Sequence, residues 1–365
     1  MEKGKDRKWV VRALHIFTAV ALLAMLVIAY FVKSRKDKVP ELSFQEALEY
    51  TAKGDSDAVI TVGIIKDGVS SYTVYGEDGN ELPSESHTYE IGSLTKTFTA
   101  ALVRKAMLEG KIDIYDTIDK YLDFPSGKKY PTVLQLLTHT SGYKEYYFEL
   151  PMIRNKLTGR NDYYGISEET VQKRAGRTRQ RFSTYGFKYS NFGYAVLGLI
   201  LESVYGEDYS VLLNRFISDE LSLADTHVSS GDGDLGRYWK WKDDDGYISA
   251  GAVTSDIEDM LKYAKLQLDD EGIFLYCHYP QKEIGATTSA YDAMGIRMDE
   301  IGMAWIIDDV NGIIWHNGGT GHYNCYLGFI PDKGIAVVVL SNLSPNRRIP
   351  ATVLGPKLLA ELADD

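Results

Sequence analysis

Only two cysteines, Cys277 and Cys325, occur in 365 residues. That is too few for a disulfide framework or a cysteine-held metal centre. A single bridge between them remains open, and two buried, unpaired thiols are the simpler expectation. Excess positive charge is also missing: 40 Lys and Arg stand against 51 Asp and Glu, a formal net of −11. Setting aside residues 1–40, which hold 9 basic and 3 acidic side chains, leaves 31 against 48. The remainder is therefore poorly suited to nucleic acid or an anionic surface as partner. The sequence has no internal repeat and no low-complexity tract, so a solenoid or fibrous architecture is excluded. What is left is ordinary globular composition, 44% apolar and 25% charged, long enough for one large core or two coupled subdomains.

Long apolar runs are missing with one exception. From Ala13 to Val32 the sequence ALHIFTAVALLAMLVIAYFV holds 20 residues without Asp, Glu, Lys or Arg, close to the roughly 20 that a helix needs to cross hydrocarbon. The run is longer than a secretory h-region of about 7–15 residues and no small-x-small cleavage site follows it, so an uncleaved signal-anchor is expected rather than a signal peptide. Five basic residues precede the run and four follow it within 33–40, a narrow preference for a cytoplasmic N-terminus. The expected organisation is a cytoplasmic tail at 1–12, a membrane span at 13–32, a charged linker at 33–40 and an extracytoplasmic domain at 41–365.

Within that domain, ELSFQEALEYTAKG has helical spacing and a glycine stop, and two β-rich runs flank Lys66-Asp67-Gly68 as in a hairpin. From about Ser93 to Leu268 the pattern is mostly helical, with a Tyr-rich, basic, irregular stretch at Tyr143–Tyr185. Strand signals return in IGMAWIID, GIIWHNGG, NCYLGFI and GIAVVVLSN, and a helix is expected to close the chain. Strands at both ends around a helical middle predict an α+β fold: one antiparallel sheet completed by the two ends of the chain, with flanking helices and an inserted, mostly helical subdomain.

In YEIGSLTKTFTA, Ser93 and Lys96 lie one helical turn apart and can face one site, at a helix start that favours a developing oxyanion. A crowded, desolvated lysine loses its proton more easily and can activate serine. Alone, the pair reads as a helix cap beside a solvated lysine. Two further stretches bear on it: Tyr189-Ser190-Asn191 just before an apolar helix, and His316-Asn317-Gly318 between two strand runs. Each has a bland alternative of its own, a packed aromatic with a cap in the first case and a hairpin connection in the second.

Together the three stretches resemble the serine β-lactamase and penicillin-binding protein superfamily, in its class C β-lactamase-like branch. LLTHTSG at Leu136–Gly142, LSLADTHV at Leu221–Val228 and ISAGAVTSDIEDMLKYAKL at Ile248–Leu266 resemble the branch as well. The resemblance runs from about Ser43 to Leu359 and implies an acyl-enzyme mechanism without metal or organic cofactor. Ser93 would be the nucleophile, Lys96 would take or relay its proton, and Tyr189 would share the base work and protonate the leaving group. Asn191 would hold Lys96 and the substrate amide; the backbone N–H groups of Ser93 and Gly319 would form the oxyanion hole, with His316 and Gly318 completing the substrate side. His139 would pack beneath the site.

The third box carries His316 where the superfamily's signature has lysine, so a permanent positive charge for a substrate carboxylate is missing. The expected activity is hydrolysis of an amide or ester such as a D-alanyl peptide or ester of the cell envelope, as in DD-carboxypeptidases. An esterase or weak β-lactamase of the same fold, and a non-hydrolytic sensor of envelope fragments or β-lactams, are the alternatives.

Overall fold

The computed structural model describes residues 39–269 and 272–364. The expected tail, the membrane span at 13–32 and nearly all of the linker lie outside the described residues. Among the described residues no helix is long and apolar enough to cross a membrane. Residues 39–43 carry one short 3₁₀ turn, and the chain from Phe44 onward forms a single compact unit.

The strands of that unit are β1 (Ile60–Lys66), β2 (Val69–Tyr75), β3 (Glu81–Leu82), β4 (Tyr89–Glu90), β5 (His227–Val228) and β6 (Val253–Ser255). After them come β7 (Lys282–Glu283), β8 (Glu300–Ile301), β9 (Ile306–Asp308), β10 (Ile313–Gly319), β11 (Asn324–Ile330) and β12 (Ile335–Ser341). Nine of these form one antiparallel sheet in the order β3-β2-β1-β12-β11-β10-β9-β8-β7. Pairing of β1 with β12, from Ile60–Ser341 to Ile65–Ala336, closes the two ends of the chain on each other as the sequence pattern predicts. Every residue of β11 and β12 is buried, so these central strands are covered on both faces, whereas β2 is mostly exposed and lies near the sheet edge.

Helices α1 (Phe44–Ala52), α2 (Thr95–Leu108), α3 (Leu150–Thr158), α4 (Glu168–Arg177), α5 (Asn191–Tyr205), α6 (Ile248–Gly251), α7 (Ile257–Asp269) and α8 (Ala351–Asp364) surround the sheet or build the inserted subdomain. Helix α7 packs on β1 and β12, and α8 packs on β11, β12 and α1. Helix α2 is buried through most of its length, from Thr95 to Val103, and Phe98 stacks on Tyr263 of α7 with ring centres 4.1 Å apart. A buried helix that keeps Thr95, Lys96, Thr97 and Thr99 must give each polar group a partner, and these partners build the site.

Three local features differ from the sequence reading. IGMAWIID is two short strands, not one: Gly302–Trp305 folds as a tight turn with the Gly302 N–H on Trp305 O at 2.8 Å and Ala304 at φ 73°. Because Met303, Ala304 and Trp305 are all buried, the turn keeps the apolar signature of a strand. Tyr143–Tyr185 contains α3 and α4, started by Pro151 and the Ser167 cap respectively. Helix α3 escapes periodicity arguments because Leu150 and Leu157 are 76% and 81% exposed. A second sheet, β4-β6-β5, is added beside the turn that holds Ser93. Cys277 and Cys325 are both buried, and no disulfide joins them.

Candidate active site

Strand β4 runs into the turn that holds Ser93. Gly92–Leu94 is a single 3₁₀ turn, and α2 begins only at Thr95. The serine therefore precedes the helix instead of capping it, and Lys96 Nζ still reaches Ser93 Oγ at 3.0 Å. Lys96 is fully buried, donates to Ala250 O of α6 at 2.5 Å, and sits 5.0 Å from the Tyr189 ring centre and 5.5 Å from that of Tyr194. No carboxylate pairs with it among the described residues, and burial holds its pKa well below the ordinary lysine value. Two threonines of the same helix dock α6 and the segment after it: Thr95 Oγ1 accepts from Val253 N at 3.0 Å, and Thr99 Oγ1 donates to Ser249 O at 2.7 Å.

Tyr189 is held by a loop that the sequence marks as LLTHTSG. His139, at φ 55°, accepts Lys188 N on its carbonyl at 2.8 Å and Ser190 N on its Nδ1 at 3.0 Å. Ser190 caps α5 by accepting Gly193 N at 2.9 Å and donates to Lys144 O at 2.7 Å. His139 thus fixes the residues on either side of Tyr189 and packs 4.5 Å from its ring centre, beneath the site as expected. Burial raises the Tyr189 pKa above the ordinary phenol value, and a hydrogen bond with Ser93 pulls it back. Asn191 departs from the sequence reading. Its amide donates to Tyr163 OH at 2.9 Å, while Lys96 uses the Ala250 carbonyl, a partner that residue types alone do not reveal.

The third stretch reaches the Ser93 turn along β10. A Cβ built on Gly92, whose φ is +49°, would lie 2.6 Å from Gly319 N, and one on Gly318 would lie 1.9 Å from Ile91 O. Only glycine permits this approach, which sets the Gly319 amide beside the Ser93 turn. His316 is 2% exposed with Nδ1 2.6 Å from Asn317 O; burial, and then Lys96, lower its pKa to about 3. It is a neutral imidazole at physiological pH.

Glu90 is the site residue that motif reading misses. It is buried, accepts Trp239 N at 2.5 Å and Thr320 Oγ1 at 2.6 Å, and so ties the strand before Ser93 to the residue after Gly319. Burial raises its pKa to about 7. The available signal was a lone acid between Tyr89 and Ile91, just before the Ser93 turn. Glu90→Ala strands one buried and one part-buried donor and is expected to cost on the order of 3 kcal/mol of stability, with Glu90→Gln losing less than half of that; urea denaturation of the two variants checks the order.

The histidine makes a separate prediction. With His316 at about 3 in the folded state and near 6.5 unfolded, the unfolded chain takes up a proton between those values that the native site refuses. Its contribution is neutral above pH 6.5 and turns destabilising as pH falls toward 3. Glu90 acts in the opposite sense between its unfolded value and about 7. The wild-type minus His316→Asn difference in unfolding free energy therefore isolates the histidine, and it is expected to move in favour of the variant as pH falls from 6.5 to 4.5.

Comparison with known proteins bears on the family and the fold. A sequence model of the beta-lactamase family matches residues 50–354. A beta-lactamase of Pseudomonas fluorescens is 23% identical over 332 residues, covering 78% of this chain and 88% of that protein. Protein flp of Staphylococcus aureus is 21% identical over 286 residues, covering 72% of this chain; the chain spans about half of that longer protein, 54%. The crystal structure of a beta-lactamase/D-alanine carboxypeptidase from Yersinia pestis superposes with a TM-score of 0.68 at 19% identity, covering 90% of this chain and 98% of that one, and so shares the fold. The chain belongs to the beta-lactamase family and is a serine hydrolase of the β-lactamase and transpeptidase superfamily.

Proposed function

We propose that the chain forms an acyl-enzyme on Ser93 and hydrolyses an amide or ester outside the cytoplasmic membrane, to which residues 13–32 anchor it. The observation that carries the reading is the fully buried Lys96 amine, 3.0 Å from Ser93 Oγ and without a carboxylate partner among the described residues. A lysine whose pKa burial holds well below the ordinary value loses its proton more readily and can accept that of the serine as Oγ attacks the carbonyl. Tyr189, whose ring centre is 5.0 Å from Lys96 Nζ, would pass a proton to the leaving group. The amides of Ser93 and Gly319 receive the oxyanion, and water then releases the acyl group.

Neutral His316 bears on the choice of substrate. A site without a fixed cation at this position favours an ester or an internal amide over a group recognised by its free carboxylate. Among envelope compounds this points to a D-alanyl ester or an internal D-alanyl amide, with β-lactam hydrolysis weaker. Incubating the purified chain with a p-nitrophenyl ester, a D-Ala-D-Ala peptide and a fluorescent penicillin separates the readings. Ester turnover above the other two is the expected result. Stable labelling by penicillin with no turnover of any of the three supports a sensor instead.

A further inference from the structure

A groove of about 690 Å³ lies between residues 115–135 and the loop 180–187, with Lys282 and Glu283 of β7 also in its wall. Its volume is within the range of small-molecule sites, roughly 300–1,000 Å³. The residues that line it include none of Ser93, Lys96, Tyr189, Asn191 and His316, so it is a feature separate from the site already described. Phe187 of its wall meets the His139 ring edge-on with centres 5.8 Å apart, and His139 in turn packs against Tyr189.

The composition of the wall narrows the ligand. Leu134 and Pro131 are its aliphatic members, too few to bury an acyl chain. Of its charged side chains, Lys128 donates to Gly176 O at 2.9 Å, and Lys129 and Lys282 stand against Asp119 and Glu283. No single sign is concentrated there for a phosphate or a carboxylate. Rings and uncharged hydrogen-bonding groups dominate instead: five Tyr and Phe residues, six Ser and Thr residues, and the amides of Gln135 and Gln180. Two of the rings, Tyr115 and Phe182, are each 66% exposed and serve no core.

A sugar ring is the ligand class that uses both kinds of group. Its C–H faces are apolar and slightly positive, so they lie well on the negative face of an aromatic ring. Its rim of hydroxyls both donates and accepts, as Ser, Thr and Gln side chains do. The wall is also preformed. Tyr185 OH accepts Arg181 N at 2.8 Å and Phe182 N at 3.1 Å, and the Tyr185 ring lies so close to Gly142 that a Cβ there would be 2.7 Å away. Phe182 meets that ring edge-on at 5.7 Å. Gln135 donates to Ser183 O and accepts Thr132 N, each at 2.9 Å, which ties the loop to the opposite wall. Little ordering is then left for binding to impose.

We propose that this groove is a saccharide-binding site, taking an uncharged stretch of glycan whose rings stack on Tyr115 and Phe182 and whose hydroxyls bond the Ser, Thr and Gln side chains of the wall. It is independent of the acyl-enzyme reading and stands whether or not Ser93 is acylated.

The test is calorimetric titration of the full chain, in a detergent without a sugar headgroup, with penta-N-acetylchitopentaose and with cellopentaose. Saturable binding of at least one is expected. The first alone marks a site that reads the acetamido group, and both alike mark one that reads rings and hydroxyls. Phe182→Ala and Tyr115→Ala are each expected to weaken binding roughly three- to tenfold, the range of one aromatic contact. Turnover of p-nitrophenyl acetate and Tm stay at the wild-type values in both variants, because both rings are largely exposed and lie outside the Ser93 site. No binding of either sugar at millimolar concentration, or an affinity unchanged in both variants, overturns the proposal. Binding of a glycerol phosphate oligomer that high salt abolishes, with neither sugar bound, assigns the groove to an anionic polymer and also overturns it.

Discussion

Ser93→Ala is expected to lower kcat by on the order of 10⁵ while shifting Tm by only a few degrees. The large effect follows from the order of events. Without Oγ no acyl-enzyme forms, and Lys96 has no proton to accept, so the base is lost with the nucleophile. The small effect on stability follows from position. Ser93 is only partly buried and sits in a short 3₁₀ turn, and its removal leaves the Lys96 amine bonded to Ala250 O. Lys96→Ala should match it in kcat but cost more stability, because it empties a fully buried volume against Tyr189 and Tyr194. Turnover of a chromogenic ester and thermal unfolding, measured together, check both.

Gly318→Ala is expected to be the most damaging single-methyl substitution near the site. Its Cβ would meet Ile91 O at 1.9 Å and Cys325 Sγ at 2.7 Å, and the first is backbone that cannot rotate away. Either β10 or the Ile91–Ser93 segment must shift, which moves the Gly319 amide away from the oxyanion position. Losing one such donor costs about 10²–10³ in kcat, to which the overpacking adds roughly 1–3 kcal/mol of lost stability. Gly319→Ala supplies the control. Its Cβ would meet Pro345 Cγ at 3.3 Å and Pro345 Cβ at 3.4 Å, contacts that a few tenths of an ångström relieve. A kcat for Gly318→Ala at least tenfold below that for Gly319→Ala is the expected result, and equal values would show that the close approach of the two backbones is not what sets the site.

Much of the architecture was legible because it is written in side-chain periodicity. The β1–β2 hairpin, the closure of β1 on β12 and the capped helix after Tyr189 each follow from local patterns that burial then enforces. Helix α3 was not legible, because its apolar residues face outward and the rule that finds helices assumes they face a core. The turn at Gly302–Trp305 was hidden for the opposite reason, since its residues are as buried as those of a strand.

The candidate site shows the same division. Ser93 and Lys96 were singled out by type and spacing, Tyr189 and His316 through the resemblance to the family, and the structure brings Lys96 against Ser93 and Tyr189. The groups that orient them were not found where they act through backbone atoms or through unmarked side chains: the Ala250 carbonyl on Lys96, and Glu90 across Trp239 and Thr320. Asn191 was found but given the wrong partner, because sequence spacing says which residues approach a site and not which way an amide turns. His139 acts through its carbonyl and Nδ1 on the two neighbours of Tyr189, which gives its place beneath the site a definite physical content.

The central claim is that Ser93 carries the acyl group. Rapid acid quenching of the full chain during turnover of an octanoyl ester, followed by peptide mapping in the mass spectrometer, tests it most directly. The predicted result is an acyl increment confined to the peptide bearing Ser93, absent from Ser93→Ala, and disappearing once substrate is exhausted. Turnover with no increment on that peptide, or an increment that persists on another residue in Ser93→Ala, would contradict it.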